Sequence, residues 1–285
     1  MLTTIIAFPL ALGVAIALFS RRFLNAQTAV LALLVPLSAV AIFIVLEGVP
    51  AFPPVRAVHK LPYVFAVGSV VLAAAAWRFR SRSTVFAAAA ALIGLGLPVW
   101  WIGKNILASN NQKLIITLAL VAIAVAGVVW SAVQRKTSDE AQNSVLPQAV
   151  FATSLATALV AILGGYMGMA MFNGALTALF GGYLLVSYIR HLRGDGSAFA
   201  LSGISGLAFA WVAYLGLLTT AMLAPVASSA ALIAVGLTLV VVPLSSVYTR
   251  RFSGAAISVR PLVYGLVAAI PAIAGILIAG LQFSG

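Results

Sequence analysis

The chain reads as an all-α, polytopic integral membrane helix bundle with about ten transmembrane helices. Three observations carry this. Hydrophobic residues make up 64% of the 285 positions and charged residues 7%, against roughly 25% charged in soluble domains. The few charges fall in short breaks between apolar runs of about 20 residues, the length a helix needs to cross a bilayer with its backbone satisfied internally. The basic residues also alternate between the two sets of breaks, as they do in multi-pass proteins.

Taken in order, the first span, Leu2 to Phe19, ends before Arg21 and Arg22. It reads as a helix and not a secretion signal, since no basic residue precedes it and no small-residue cleavage site follows. The second, Gln27 to Leu46, is stopped by Gly48 and the prolines 50, 53 and 54; the third, Leu61 to Trp77, is stopped by Arg78, Arg80 and Arg82. Thr84 to Ile102 closes on Trp100, Trp101 and Lys104, and Leu114 to Val133 on Arg135 and Lys136. The second half follows with Leu146 to Gly165, Phe172 to Ile189, Ala198 to Leu223, Val226 to Ser246 and Pro261 to Leu281. Pro9, Pro36 and Pro271 sit inside spans and predict kinks.

Twelve basic residues share one set of loops: Arg21, Arg22, Arg78, Arg80, Arg82, Arg135, Lys136, Arg190, Arg193, Arg250, Arg251 and Arg260. The other set holds four, namely Arg56, Lys60, Lys104 and Lys113. Because basic loops resist translocation, the first set is expected inside and both termini outside, in the cytoplasmic membrane of a bacterium.

The one polar stretch long enough to divide the chain is Gln134 to Ser144. It separates a five-helix half at 1–133 from another at 145–285. With an odd number of spans per half, homologous halves would be inverted relative to one another, as in many secondary transporters. Pro98 and Pro243, each near the end of the fourth helix of its half and followed by a basic terminus, are a positional echo of such a 5+5 inverted repeat. In layout, ten helices divided five and five over the whole chain resemble the drug/metabolite transporter superfamily. The resemblance rests on architecture without a sequence motif, departs in the placement of the termini, and carries no functional residue with it.

Several function classes drop out. The +12 formal charge is dispersed over short loops, which suits anionic lipid and not nucleic acid. No cysteine is present, which removes disulfides, thiolate metal sites and thiol nucleophiles together. No GxSxG, HExxH, P-loop or dinucleotide motif occurs, so no enzyme activity and no cofactor are expected. The glycine clusters Gly94–Gly96 and Gly181–Gly182 lie within apolar spans. No ionisable residue sits mid-span, which argues against a carboxylate proton relay. Coupling through carbonyls and hydroxyls, as at Na⁺ sites, stays open.

Candidate pathway residues come from two places. Gly164 to Gly174, GGYMGMAMFNG, combines four glycines, three methionines, Tyr166 and Asn173. Either helix six unwinds there to line a cavity, or the segment is a tight turn with Gly164 and Gly168 packing helices closely. Helix eight adds Ser202, Ser205, Trp211 and Tyr214, with Ser202 and Gly206 at a small-xxx-small spacing that also serves packing. Ser245, Ser246 and Tyr248 stand where hydroxyls recapture carbonyls freed by Pro243.

The outer loop contributes Glu47, Arg56 and His59. Glu with His is an acid–base or metal-ligand combination, but two ligands do not make a metal site, and none is expected. The structural alternative pairs Glu47 with Arg56 or Lys60 at the surface. His191 is expected among lipid headgroups, and Trp100 with Trp101 in an interfacial aromatic belt. The expected function is a secondary carrier for a small molecule or lipid. The alternative is a non-catalytic structural or assembly subunit of a larger membrane complex, whose partners would be membrane proteins as well as lipids.

Overall fold

The computed structural model describes residues 3–19, 27–78, 84–134, 144–199, 201, 204–245, 252, 256 and 258–284. Among them the chain forms ten α-helices and no strand. These are α1 (Phe8–Phe19), α2 (Gln27–Glu47), α3 (Leu61–Arg78), α4 (Thr84–Ser109), α5 (Asn111–Gln134), α6 (Val145–Leu163), α7 (Met167–Leu192), α8 (Ile204–Leu223), α9 (Ser229–Leu237) and α10 (Arg260–Ser284). Eight of them, α2 to α8 and α10, are long and apolar enough to cross a membrane. The protein is an all-α polytopic membrane bundle.

Two expected spans are not among these eight. The first is helical throughout its described length, a π-helical turn at Thr3–Ala7 running on into α1; Pro9, which cannot donate to the helical ladder, stands just past that turn. The ninth is α9 followed by a 3₁₀ turn, Thr238–Val240. Pro243 explains that stop, because it cannot donate and its ring crowds the carbonyl four residues back. The chain folds instead into turns closed by Leu244 N–H on Val241 O and Ser245 N–H on Val242 O, both 3.1 Å. Ser246 and Tyr248, and residues 135–143 of the polar linker, lie outside the described residues. So do Arg21, Arg22, Arg80, Arg82, Arg135, Lys136, Arg250 and Arg251.

Elsewhere helices run longer than expected. α4 and α5 are separated by Asn110 alone, whose Oδ1 accepts the Lys113 N–H at 3.0 Å and caps α5. α7 starts at Met167, since Met and Ala are good helix formers, so the segment expected as an irregular outer stretch is helical almost throughout.

The hub is α8, which packs against every helix from α2 to α7 and against α9. Small residues on several faces permit this, and two aromatics fasten it. Trp211 Nε1 donates to Gly94 O of α4 at 2.7 Å, and its ring lies on the bare Cα of Gly68 in α3 with Phe65 edge-on at 5.6 Å. Tyr214 Oη donates to Leu120 O of α5 at 2.9 Å. α1 lies along α7 through reciprocal glycines: Gly13 abuts the Leu179 carbonyl, and Gly182 abuts the Leu10 carbonyl. The outer stripe Leu262, Leu266, Ile270, Ile273, Leu277 and Leu281 of α10 is left exposed at helical spacing, a lipid-facing surface.

Loops gather at two ends. At one, Lys60 Nζ donates to Trp101 O (2.7 Å), Gln112 Nε2 to Ser229 Oγ (3.1 Å), and Lys113 Nζ to Met222 O (2.8 Å) and Ala224 O (3.1 Å). The last pair places a cation on the carbonyl-rich terminus of α8. At the other, Arg190 pairs with Asp195 at 2.6 Å, Tyr188 Oη donates to Ser258 O at 3.0 Å, and Gln148 Nε2 to Pro261 O at 2.8 Å. Of the described basic side chains, Arg56, Lys60, Lys104 and Lys113 fall toward the first end, and Arg190, Arg193 and Arg260 toward the second.

Candidate functional site

Two helix terminations far apart in sequence build one site at the first end. α2 stops because Gly48, at φ +82°, returns its N–H to Ile44 O at 2.9 Å, a left-handed C-cap that leaves Glu47 at the helix tip. The loop beyond is tied down by Tyr63, whose Oη donates to Pro50 O at 3.0 Å and whose ring meets Phe52 edge-on. It then winds into the 3₁₀ turn Val58–Lys60, with the His59 N–H on Arg56 O at 3.1 Å. Arg56 thereby comes to line the same recess as Glu47.

α6 stops through a Schellman motif. Gly165 takes φ +74° and donates to Ile162 O at 3.0 Å, while the Tyr166 N–H reaches Ala161 O at 2.9 Å. This makes Tyr166 the N-cap residue of α7. Gly164 packs on Ala227 of the α8–α9 loop. Gly164 and Gly168 therefore lie on different helices and form no common packing stripe; the tight-turn alternative holds and the unwound helix does not.

Between these elements lies a recess of about 470 Å³, lined by Glu47, Arg56, Ala57, Val58, Tyr166, Gly168 and Leu223. Glu47 approaches the first turn of α7 so closely that a Cβ on Gly168 would lie 3.2 Å from its Oε1. The positive end of the α7 dipole favours a carboxylate there. Burial pushes the Tyr166 phenol above its ordinary range, the Glu47 charge pushes it further, and Arg56 opposes them. The phenol is thus a hydrogen-bond donor at neutral pH.

Glu47 and Arg56 share the recess without closing an ion pair on each other. The expected surface pairing is absent, because Lys60 is drawn instead to the Trp101 carbonyl and ring and Arg56 stays on its own side of the recess. His59 does not line it; its ring stands edge-on to Phe43, centroids 6.4 Å apart. Among the described residues no group of three or more His, Cys, Asp or Glu side chains converges as a metal site would require.

Inward from the recess the polarity continues in a closed form. Thr220 lies about one turn below Leu223 on α8, and Asn173 is about 7.5 Å along α7 from Gly168 at 1.5 Å per residue. Asn173 is wholly buried. Its Nδ2 donates to Met169 O at 2.8 Å and more weakly to Thr220 Oγ1 at 3.4 Å, and Thr220 Oγ1 donates to Gly216 O at 2.9 Å. Asn173 Oδ1 has no hydrogen-bond partner and faces Gly216, where a Cβ would run into it; Thr219 Oγ1 is likewise unpartnered.

Of the sequence candidates, then, Tyr166, Glu47 and Arg56 come together, and Asn173 sits beneath them. Trp211 and Tyr214 are consumed in holding α8 to α3, α4 and α5. Ser205 is buried near the start of α8, remote from the recess, and Ser202 lies outside the described residues. Leu223, Thr220 and Gly216 were not anticipated. Gly216 and Thr220 do repeat the small-xxx-small spacing noted elsewhere in α8, and that spacing is the signal that marks them. No known protein family, curated protein or solved structure matches the chain.

Proposed function

We propose that the protein is a secondary carrier of the cytoplasmic membrane for a small molecule or lipid, drawn here with its pathway closed. One observation carries the proposal. A recess bearing an acid, a base and a phenol opens directly above a buried polar contact between α7 and α8 whose Asn173 Oδ1 is left without a partner. The end holding Glu47 is the outer one, on the count of four basic residues against twelve. Binding at Glu47, Arg56 and Tyr166 would be followed by separation of α7 from α8, passing the ligand to Asn173 and Thr220. Of the helix pairs that inverted halves would exchange, α4 with α5 and α9 with α10 both pack, whereas α2 and α6 do not reproduce the contact of α1 with α7. Packing of the hairpin that ends each half is therefore the part of the contact pattern that supports a repeat. One feature favours the subunit alternative: Val49, Phe52 and Val55 are 82%, 83% and 88% exposed on the Glu47 loop, an apolar tip of the kind that docks on partners.

The absence of cysteine makes the test direct. Thr220→Cys is assayed with a membrane-impermeant maleimide in intact cells and in inverted vesicles, with Val226→Cys and Gly196→Cys as markers of the two surfaces. A carrier exposes position 220 to both sides in turn. If both markers label and position 220 labels from neither side, the bundle does not open and the subunit alternative replaces the carrier.

A further inference from the structure

We infer that the recess between α2, α7 and α8 recognises a zwitterion, an ammonium group seated on Glu47 and a carboxylate or phosphate on Arg56. The inference rests on the carrier proposal for its purpose but concerns binding alone. The argument starts from the charges. Glu47 and Arg56 line one recess, carry opposite signs and make no ion pair with each other or with another described residue. An anion meeting Arg56 there is repelled by Glu47, and a cation meeting Glu47 is repelled by Arg56. A neutral ligand would strip water from both and compensate neither. A molecule with separated opposite charges satisfies the pair at once.

Size and lining agree with this. About 470 Å³ suits a small metabolite or a lipid headgroup. Tyr166 supplies an O–H for the anionic arm, while Ala57, Val58 and Leu223 offer an apolar wall for the carbon linking the two charges. Gly168 gives the site its depth, since any side chain there would press on the Glu47 carboxylate. The Glu47 side chain is set against the first turn of α7, so the position an ammonium partner would take is fixed before the ligand arrives.

The ligand chemistry has two sources, a free zwitterion in the water or an ethanolamine lipid headgroup in the membrane. The full chain in nanodiscs, labelled with an environment-sensitive dye at Val226→Cys beside Gly165, is titrated with phosphoethanolamine, inorganic phosphate and ethylamine. Phosphoethanolamine should bind about tenfold or more tightly than either half alone, as one added charged hydrogen bond implies. Glu47→Gln should erase its advantage over phosphate, and Arg56→Gln its advantage over ethylamine. Both side chains are exposed, and unchanged melting temperatures confirm that neither variant is misfolded. In the lipid arm, native mass spectrometry compares retention of phosphatidylethanolamine with that of phosphatidylglycerol. A lipid source shows as phosphatidylethanolamine retention lost in Glu47→Gln, and a soluble source as phosphoethanolamine binding without such retention.

Equal affinity for the three probes, a preference that survives both substitutions, or no saturable response in either arm overturns the inference. If selectivity fails while position 220 still labels from both sides, the carrier stands and the ligand class falls. If selectivity holds and position 220 never labels, the recess is a binding site on a protein that does not transport.

Discussion

Gly216→Ala tests how α7 and α8 are keyed together beneath the recess. A Cβ at this position would run into Asn173 Oδ1 and lie 3.3 Å from its Cγ. The carboxamide has little freedom to retreat, because it is wholly buried and its Nδ2 is bonded to Met169 O at 2.8 Å. Overpacking of this kind costs about 1–3 kcal/mol, and replacing a mid-helix glycine returns about 1 kcal/mol of helix propensity. The expected net loss is therefore roughly 0–2 kcal/mol. In an Asn173→Ala background the obstructing carboxamide is gone, so the added methyl enters vacated space and the propensity gain remains. The two substitutions should then show a coupling of about 1–3 kcal/mol, measured as a double-mutant cycle on thermal or denaturant unfolding in one detergent. If Gly216→Ala shifts stability by the same amount in both backgrounds, within about 0.5 kcal/mol, the contact does not key the helices.

Gly182→Ala places a Cβ against the Leu10 carbonyl and 3.0 Å from Val14 N; since these are backbone atoms that cannot rotate away, the loss should approach ~3 kcal/mol and appear as a lowered melting temperature and membrane level. Trp211→Phe removes the 2.7 Å bond to Gly94 O and should cost about 1–2 kcal/mol, while phosphoethanolamine selectivity is unchanged; altered selectivity would place Trp211 in the ligand pathway. The Asp195 carboxyl is held down to about 2 by the Ser197 hydroxyl and the Arg190 guanidinium. An acid depressed in the folded state stabilises it above the unfolded carboxyl's value of about 3.9. That contribution fades as pH falls from there toward about 2. Carboxyl ¹³C NMR on Asp-labelled protein should show one of the two aspartates titrating near 2 and moving up in Arg190→Gln.

The membrane class was legible because bilayer thickness imposes run length on the sequence, and each of the eight long helices coincides with one of the expected apolar runs. The failures have local causes. A hydropathy run from Val226 to Ser246 does not register that Pro243 denies a helix its continuation, so α9 ends at Leu237. The loop expected around Lys104 and Lys113 was an artefact of reading charge as a boundary, since both lysines sit on helices and reach ring or carbonyl partners at the bundle end. Glu47, Arg56 and Tyr166 were each legible as residue types out of place in an oily chain. Their convergence was not, because it depends on how α2 and α6 terminate, through Gly48 and Gly165, and on α7 starting early enough to bring Gly168 beneath Glu47. Trp211 and Tyr214 show the converse, since polar tips on a central helix look like a pathway until their acceptors on α4 and α5 are known.

The interior polarity bears on how such a bundle could open. Four buried hydroxyls are spent on their own helix: Thr153 on Ala149 O, Thr157 on Thr153 O, Thr177 on Asn173 O and Thr220 on Gly216 O, at 2.7–2.9 Å. These bonds survive any rigid movement of one helix against another. The unpartnered set behaves differently. Asn173 Oδ1 and Thr219 Oγ1 find no acceptor or donor in the packed state, and each buried unsatisfied group carries a penalty of about 1–3 kcal/mol. Water or ligand admitted between α7 and α8 would relieve that penalty at the moment apolar contact is lost. The two terms oppose one another, so separation of α7 from α8 beneath the recess is partly offset, an effect the unpartnered Thr117, Ser154, Ser187 and Thr238 hydroxyls would share wherever their helices part.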